Sequence, residues 1–570
     1  ISAAIENAEP WNVGPLLRLE ILNKVADAYE SNTTEPFALL HREEGKTLAG
    51  AVSEVREAVD FLRYYATQIE TASMGSNTGR WVCISPWNFP LAIFTGQIAA
   101  ALAAGNAVLA KPAEQTCLVA HYAATLMHKA GVPKFALQLL PGGAEVGAQL
   151  TRSKAINGVA FTGSTATAGQ IRKSMATNAA PGTPLIAETG GLNTMIVDST
   201  ALLEVAVRDI LQSAFQSAGQ RCSALRCLYV QEDISSELVD MLKGAMNELQ
   251  LGDPWLLATD VGPVIDASAH KKISEHIDVA RHEGRLLHQL IAPASGHFVA
   301  PSLIAVSGIS DIAQEIFGPV LHIATFTADQ LDEVLDAINA SGYGLTFGLH
   351  SRVDDRVQQV IEGLRVGNCY INRNQIGAIV GSQPFGGEGL SGTGPKAGGP
   401  HYLPRFVMQQ QPVAVAPWER DADITTLQDA LTSAWAHNTV SVTTMPGPTG
   451  ESNQIWLITR GPVLCLGPGA EAEAQQAQAV EQLGGIAIKA IGTVAPDNLT
   501  WMKIAAAIWW GDESMGRAYN LALAERSGAI INLITGLPDT AHVLHERLVS
   551  IDTTAAGGNP ELLMVAADLS

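Results

Sequence analysis

The sequence predicts an α/β protein organised around parallel sheets. Three observations carry this. From residue 80 onward, short apolar runs alternate with stretches of helical periodicity, the pattern of repeated βα units. Hydrophobic residues make up 47% of the 570 positions, enough for several buried cores. Charged residues make up only 16%, which excludes a disordered chain.

Two helices are expected first. Residues 16–31 place Leu17, Leu19, Leu22, Val25 and Tyr29 near a 3.6-residue rhythm, and 43–68 repeat it with Val52, Val55, Val59, Leu62 and Tyr65. The alternation then runs strand 81–85, helix 91–104, strand 107–110, helix 116–130, strand 136–140, helix 144–150 and strand 158–161. An apolar strand follows at 184–187, and the pattern continues with strand 194–197, helix 202–216 and strand 226–231. Between 386 and 417 Gly, Pro and Gln dominate, which reads as a boundary or linker. Beyond it strands are expected at 454–459, 463–466 and 529–534, and helices at 470–483, 498–510 and 516–527. The tail closes on a Gly-containing run at 552–559.

The net charge of −21, without a long basic run, argues against nucleic acid and anionic membrane surfaces as partners. The apolar stretch 93–110 contains Gln97, Gly105 and Asn106, so it reads as helix, turn and strand, with no membrane insertion. Six cysteines, none at C-x-x-C spacing, fit neither a zinc site nor a disulfide framework; no metal is expected, and a reducing, cytoplasmic setting is. The chain begins Ile-Ser-Ala-Ala without Met or a charged-then-apolar leader, the pattern of a fragment or processed chain.

Four places carry chemistry. Cys222 stands in Ser217-Ala-Gly-Gln-Arg-Cys-Ser223, where Arg221 should lower the thiol pKa. Glu188 closes an apolar strand before Thr189-Gly190-Gly191, at the end of the sheet where α/β proteins bind ligands. Burial there would raise its pKa toward that of a useful general base. Asn88, on a turn set by Pro86 and Pro90, can aim its amide at one point, as an oxyanion hole requires. The Gly163-Ser164 turn between a strand and a helix could offer backbone N–H groups to a phosphate. Each has an ordinary structural explanation: core thiol, strand-end acid, turn Asn and plain turn.

Their joint order and spacing is distinctive. Asn88, Lys111, Glu114, Gly163-Ser164, Glu188, Cys222 and Glu315 with Phe317 resemble the aldehyde dehydrogenase superfamily over residues 14–410. The 34-residue separation of Glu188 and Cys222 matches that pattern. Segments 83–97, 187–191, 219–226 and 383–400 are similar to one branch, L-glutamate γ-semialdehyde (pyrroline-5-carboxylate) dehydrogenase. Within that branch the likeness is to the dehydrogenase half of bacterial proline utilization A proteins, and the tail is similar to the C-terminal domain of their longer forms.

The resemblance implies an aldehyde dehydrogenase-like fold: a Rossmann-type NAD-binding domain (1–190, N-terminally incomplete), an α/β catalytic domain (191–390), a linker and return segment (391–420) and a smaller, non-catalytic α/β C-terminal domain (421–570). It implies that Cys222 attacks the aldehyde, Asn88 holds the oxyanion and Glu188 activates water against the thioester, dividing one oxidation into two easier steps. Ser85, Pro86, Trp87, Lys111, Glu114, Gly163, Ser164, Thr189, Gly190, Glu315 and Phe317 would hold the NAD cofactor. An acid at Glu114 favours NAD over NADP by repelling a 2′-phosphate. Gly377 and Ala378 N–H groups with Ser223 would hold the substrate α-carboxylate, Phe89 and Phe385 would sandwich its carbons, and Arg221 would stand beside them.

The resemblance further implies a homo-oligomer acting on a small molecule, with a FAD-dependent proline dehydrogenase module upstream in a longer protein; no FAD site is expected here. Residues 70–79 are short where relatives carry an oligomerisation hairpin, so assembly would use another surface. Ala168 replaces a common Gly in the phosphate turn. The competing readings are a catalytically silent scaffold or fragment, and a dehydrogenase for another aldehyde such as succinate semialdehyde.

Overall fold

A computed structural model of the chain describes residues 1–71, 76–408 and 417–554. The Gln409–Gln411 run and the glycines at 557–558 lie outside the described residues, as do 72–75 of the short 70–79 stretch.

The first sheet has five parallel strands in the order Leu137–Leu139, Ala107–Lys111, Arg80–Ile84, Gly158–Thr162, Leu185–Glu188. The order reverses direction between Arg80–Ile84 and Gly158–Thr162. A crevice opens at such a switch point, beyond the carboxyl ends of the strands. The loop holding Asn88 and the Gly163-Ser164 turn leave those two ends. Nearly every side chain of these two strands is buried, the signature of a parallel sheet covered on both faces.

The second sheet has ten strands. Its parallel core runs Leu544–Asp552, Asn368–Ile371, Thr346–His350, Thr194–Val197, Cys227–Gln231, Val320–Phe326, Ser302–Ala305. Antiparallel strands flank it: Leu286–Gln289 on one side, Glu451–Thr459 and then Thr439–Met445 on the other. The C-terminal segment thus divides between two places. Three of its strands extend this sheet, while Ile486–Lys489, Pro462–Cys465, Ala506–Ile508 and Leu533–Ile534 make a separate parallel sheet.

Three expected elements differ, one of them the strand expected over 529–534, which is only Leu533–Ile534. The helix expected over 43–68 is two helices, Thr34–Glu44 and Leu48–Thr71. Gly45, at φ +75°, ends the first with its N–H on the carbonyls of His41 and Leu40, and a Cβ there would meet Pro263 Cγ at 2.6 Å. The helix expected over 498–510 is a 3₁₀ turn, Pro496–Thr500, followed by the strand Ala506–Ile508. That apolar run is buried between two neighbouring strands, and periodicity alone cannot separate such a run from a buried helix.

The stretch 93–110 folds as the helix Ala92–Ala103, a turn with Gly105 at φ +82° and the strand Ala107–Lys111. Among the described residues no helix is long and apolar enough to cross a membrane.

Candidate active site

A cavity of about 1100 Å³ lies where the two larger sheets meet. All the site residues named from the sequence line it except Ser85, Lys111 and Glu114. Those three sit together beyond the next strand end. The Ser85 N–H donates to the Lys111 carbonyl at 3.2 Å, and Lys111 Nζ lies 3.7 Å from Glu114 Oε2.

Cys222 stands on a strained turn. Ser217, Ala218 and Gly219 have φ of 55°, 53° and 65°, left-handed backbone that costs a non-Gly residue about 1–2 kcal/mol. The buried Arg226 holds the turn from beneath: its Nη1 donates to the Gly219 carbonyl at 2.7 Å and its Nη2 to the Arg221 carbonyl at 3.0 Å. Asn193 Nδ2 donates to the Cys222 carbonyl at 2.6 Å, and Ile265 N–H donates to Gln220 Oε1 at 2.8 Å. Gly219 cannot be replaced without movement, because a Cβ would lie 2.2 Å from the Gly318 carbonyl oxygen.

The expectation that Arg221 leaves Cys222 with a low pKa is corrected. Arg221 and the Ser223 N–H do pull it down, but burial first, then Glu315 and Glu188, push the thiol up to about 12. At neutral pH Cys222 therefore rests as a thiol. For it to act as a nucleophile, a base would have to take its proton as the bond forms.

Asn88 Nδ2 donates to the Gln220 carbonyl at 3.1 Å, so its amide sits two residues from the nucleophile. The Asn88 backbone carbonyl accepts from Lys46 Nζ at 2.8 Å, and Lys46 is clamped by Glu44 and Glu54 at 2.9 and 2.8 Å. The sequence reading missed this buried trio. Its signal was the Glu-Gly-Lys break after Glu44, a helix stop with a cation inside it. Lys46 also lies 4.5 Å from the Phe89 ring centre, with the Arg221 guanidinium at 5.3 Å.

Glu188 ends the strand Leu185–Glu188. Its Oε2 accepts from the Gly387 N–H at 3.1 Å, while Oε1 is buried without a partner. Glycines wall the carboxyl: a Cβ at Gly386 would lie 3.0 Å from Oε1, and one at Gly392 would lie 3.0 Å from Oε2. Burial raises its pKa to about 8, against the pull of the Gly387 N–H and Lys396. The shift runs in the direction a general base needs.

The Gly163-Ser164 side of the cavity is built from a helix start and two close approaches. Ser164 caps the helix Thr165–Asn178, its hydroxyl accepting from Thr167 N–H at 3.2 Å. Glu315 pairs with Arg226 at 3.1 Å, and the Phe317 ring meets Trp87 edge-on at 5.5 Å. A Cβ on Gly190 would lie 1.8 Å from Glu315 Oε2. Replacing Gly190 with alanine should therefore displace Glu315 and raise the KM for NAD about tenfold or more, with the fold retained; steady-state titration with NAD checks it. These residues fit a dinucleotide: a helix N-terminus for a pyrophosphate and a carboxylate for a ribose hydroxyl.

Opposite them, Gly377 and Ala378 follow the strand Asn368–Ile371, and the Tyr370 hydroxyl donates to the Gly377 carbonyl at 2.8 Å. Phe385 and Ser223 complete this end. Glu57 also lines the cavity, and burial with the nearby Glu54 carries its pKa to about 8.

With this geometry in place, known proteins were compared. The profile of the aldehyde dehydrogenase family matches residues 1–411. The chain belongs to the aldehyde dehydrogenase family. It is 44% identical to the bifunctional protein PutA of Escherichia coli (strain K12), over 99% of this chain and 48% of that protein. It is 39% identical to the 1-pyrroline-5-carboxylate dehydrogenase of Geobacillus sp. (strain WCH70), over 68% of this chain and 79% of that one. A crystal structure of bifunctional proline utilization A superposes with TM-score 0.69 at 49% identity, covering 71% of this chain and 43% of that one. A Thermus 1-pyrroline-5-carboxylate dehydrogenase with bound NAD superposes with TM-score 0.67 at 33% identity, covering 71% and 83%. The chain spans about half the length of the PutA proteins it matches. The α/β fold, with its parallel and mixed sheets, is that of this family.

Proposed function

We propose that this aldehyde dehydrogenase oxidises L-glutamate γ-semialdehyde, the open form of pyrroline-5-carboxylate, to L-glutamate with NAD. The observation that carries the reading is one cavity holding Cys222, Glu188 and Asn88 within reach of the Gly377-Ala378 loop and Ser223. That arrangement suits an aldehyde with a carboxylate at a fixed distance.

Cys222 Sγ attacks the carbonyl carbon and its proton passes to a base. The Asn88 amide donates to the developing oxyanion, exchanging its bond to Gln220 for one to the substrate. The Ser164 turn and Glu315 would hold NAD, whose chemistry would be to accept the hydride that leaves the carbonyl carbon as the oxyanion collapses to the Cys222 thioester. Glu188 then takes a proton from water as the water attacks the Cys222 thioester, and glutamate leaves. Lys111 and the exposed Glu114 serve the adenosine ribose, and the carboxylate at Glu114 disfavours a 2′-phosphate. Asn88→Ala should lower kcat about 100- to 1000-fold with a small change in KM, the loss of one oxyanion donor.

The free thiols at all six cysteines support a reducing, cytoplasmic setting. Where the segment stands in a longer chain, as its bifunctional relatives do, an upstream FAD-linked proline oxidation would supply the substrate. Homo-oligomerisation is part of this reading.

The test is NADH formation from purified protein with glutamate semialdehyde, set against propanal and NADP. A strong preference for the semialdehyde and NAD supports the proposal. A folded protein that binds NAD and forms no NADH from either aldehyde would favour the silent scaffold.

A further inference from the structure

Lys46 stands in the break between the helices Thr34–Glu44 and Leu48–Thr71, its own carbonyl accepting from His41 Nδ1. Its side chain reaches the loop that carries Asn88. Nζ donates to the Asn88 backbone carbonyl at 2.8 Å, to Glu44 Oε2 at 2.9 Å and to Glu54 Oε2 at 2.8 Å. An ammonium has three donors, so all are used and its direction is fixed. Burial acts to lower the Lys46 pKa, but the two carboxylates outweigh it and the group stays charged.

Glu54 grips the same loop three residues further on. Its Oε1 accepts from the Leu91 N–H at 2.9 Å and the Ala92 N–H at 3.0 Å, at the start of the helix Ala92–Ala103. One ion pair thus holds the backbone on both sides of Phe89 and Pro90. From this fixed backbone the Asn88 side chain runs to the nucleophile turn, where Nδ2 meets the Gln220 carbonyl. The side chains of Glu44, Lys46 and Glu54 are each at most 3% exposed. Burying a charge there is costly, and an apolar side chain could fill the space. What only the ammonium adds is the bond to the Asn88 carbonyl. Lys46 itself does not line the cavity.

We propose that Lys46 is a positioning residue for oxyanion stabilisation: by fixing the Asn88 carbonyl it sets the direction in which the Asn88 amide meets the reacting oxygen. It acts on turnover through Asn88 and touches neither substrate nor cofactor. This rests on the oxyanion role proposed above for Asn88. A donor misplaced by about 1 Å can cost on the order of 100-fold.

The experiment is a double-mutant cycle on the full chain. Lys46→Met alone would leave two buried acids unpaired, so it is combined with Glu44→Gln and Glu54→Gln. The amide from Glu54→Gln keeps an oxygen for the Leu91 and Ala92 N–H groups. This neutral variant, with thermal unfolding and NAD binding as fold controls, should lose about tenfold or more in kcat, with KM for the semialdehyde within about twofold. In an Asn88→Ala background the same three changes should cost less than about twofold. An unchanged kcat in the folded neutral variant would overturn the proposal, as would a rise in KM alone or an equal loss in both backgrounds. Hydrogen exchange over residues 88–93 separates this proposal from the reading it rests on. If Asn88→Ala leaves kcat intact, the oxyanion reading fails, whereas exchange should still quicken in the neutral variant. Unchanged exchange would overturn the hold of Lys46 on the loop.

Discussion

Replacing Cys222 with alanine should abolish the proposed aldehyde oxidation, with a loss of at least about 10⁴-fold, the scale expected when a covalent nucleophile is removed. NAD binding should be retained, because no cofactor contact is assigned to the thiol. The size of the effect follows from the site. The other five cysteines lie outside the cavity, so none stands in. The left-handed turn of Ser217, Ala218 and Gly219, fixed by Arg226, presents Cys222 to the cavity between Arg221 and Ser223. Stopped-flow NADH absorbance, with NAD fluorescence titration as the folding control, reads both parts.

Glu188→Gln separates the two halves of the reaction. The thioester should form and then persist, so that NADH appears as a burst stoichiometric with enzyme, followed by turnover about 100- to 10⁴-fold slower. The pH dependence follows from the raised pKa. With the carboxyl at about 8, the base form is the minority at pH 7 and dominates above pH 8. Steady-state turnover of the wild type should therefore rise with pH through about 8, and that limb should vanish in Glu188→Gln. The groups facing Glu188 set the position of the limb: Lys396 and Arg460 pull it down and Glu546 pushes it up.

The site was more legible in the sequence than the assembly around it. Cys222, Glu188 and Asn88 lie on loops and strand ends whose Gly, Pro and Asn content is local, so their spacing survives in one dimension. The Lys46–Glu44–Glu54 trio did not, because it joins a helix end, a break and the next helix by burial alone. The direction of the Cys222 shift was misread for a related reason. Arg221 is adjacent in sequence, whereas Glu315 and the burial that outweigh it are long-range.

The C-terminal segment shows the same limit. Its strands are readable, and 451–459 is close to the expected 454–459. Its partners are not readable, since Asn368 pairs with Leu548 across the whole intervening chain. Gly45 could have been read as a helix stop, whereas the run around Ala506 reads equally as helix or strand until its neighbours are known.

In the proposed reaction Cys222 carries the substrate as a thioester that Glu188 clears. Quenching Glu188→Gln with NAD and glutamate semialdehyde and mapping the protein by peptide mass spectrometry would trap that thioester. One acyl adduct is expected, on the peptide containing Cys222, released by hydroxylamine and absent without NAD. An adduct on another residue, or a burst of NADH with Cys222 left unmodified, would contradict it.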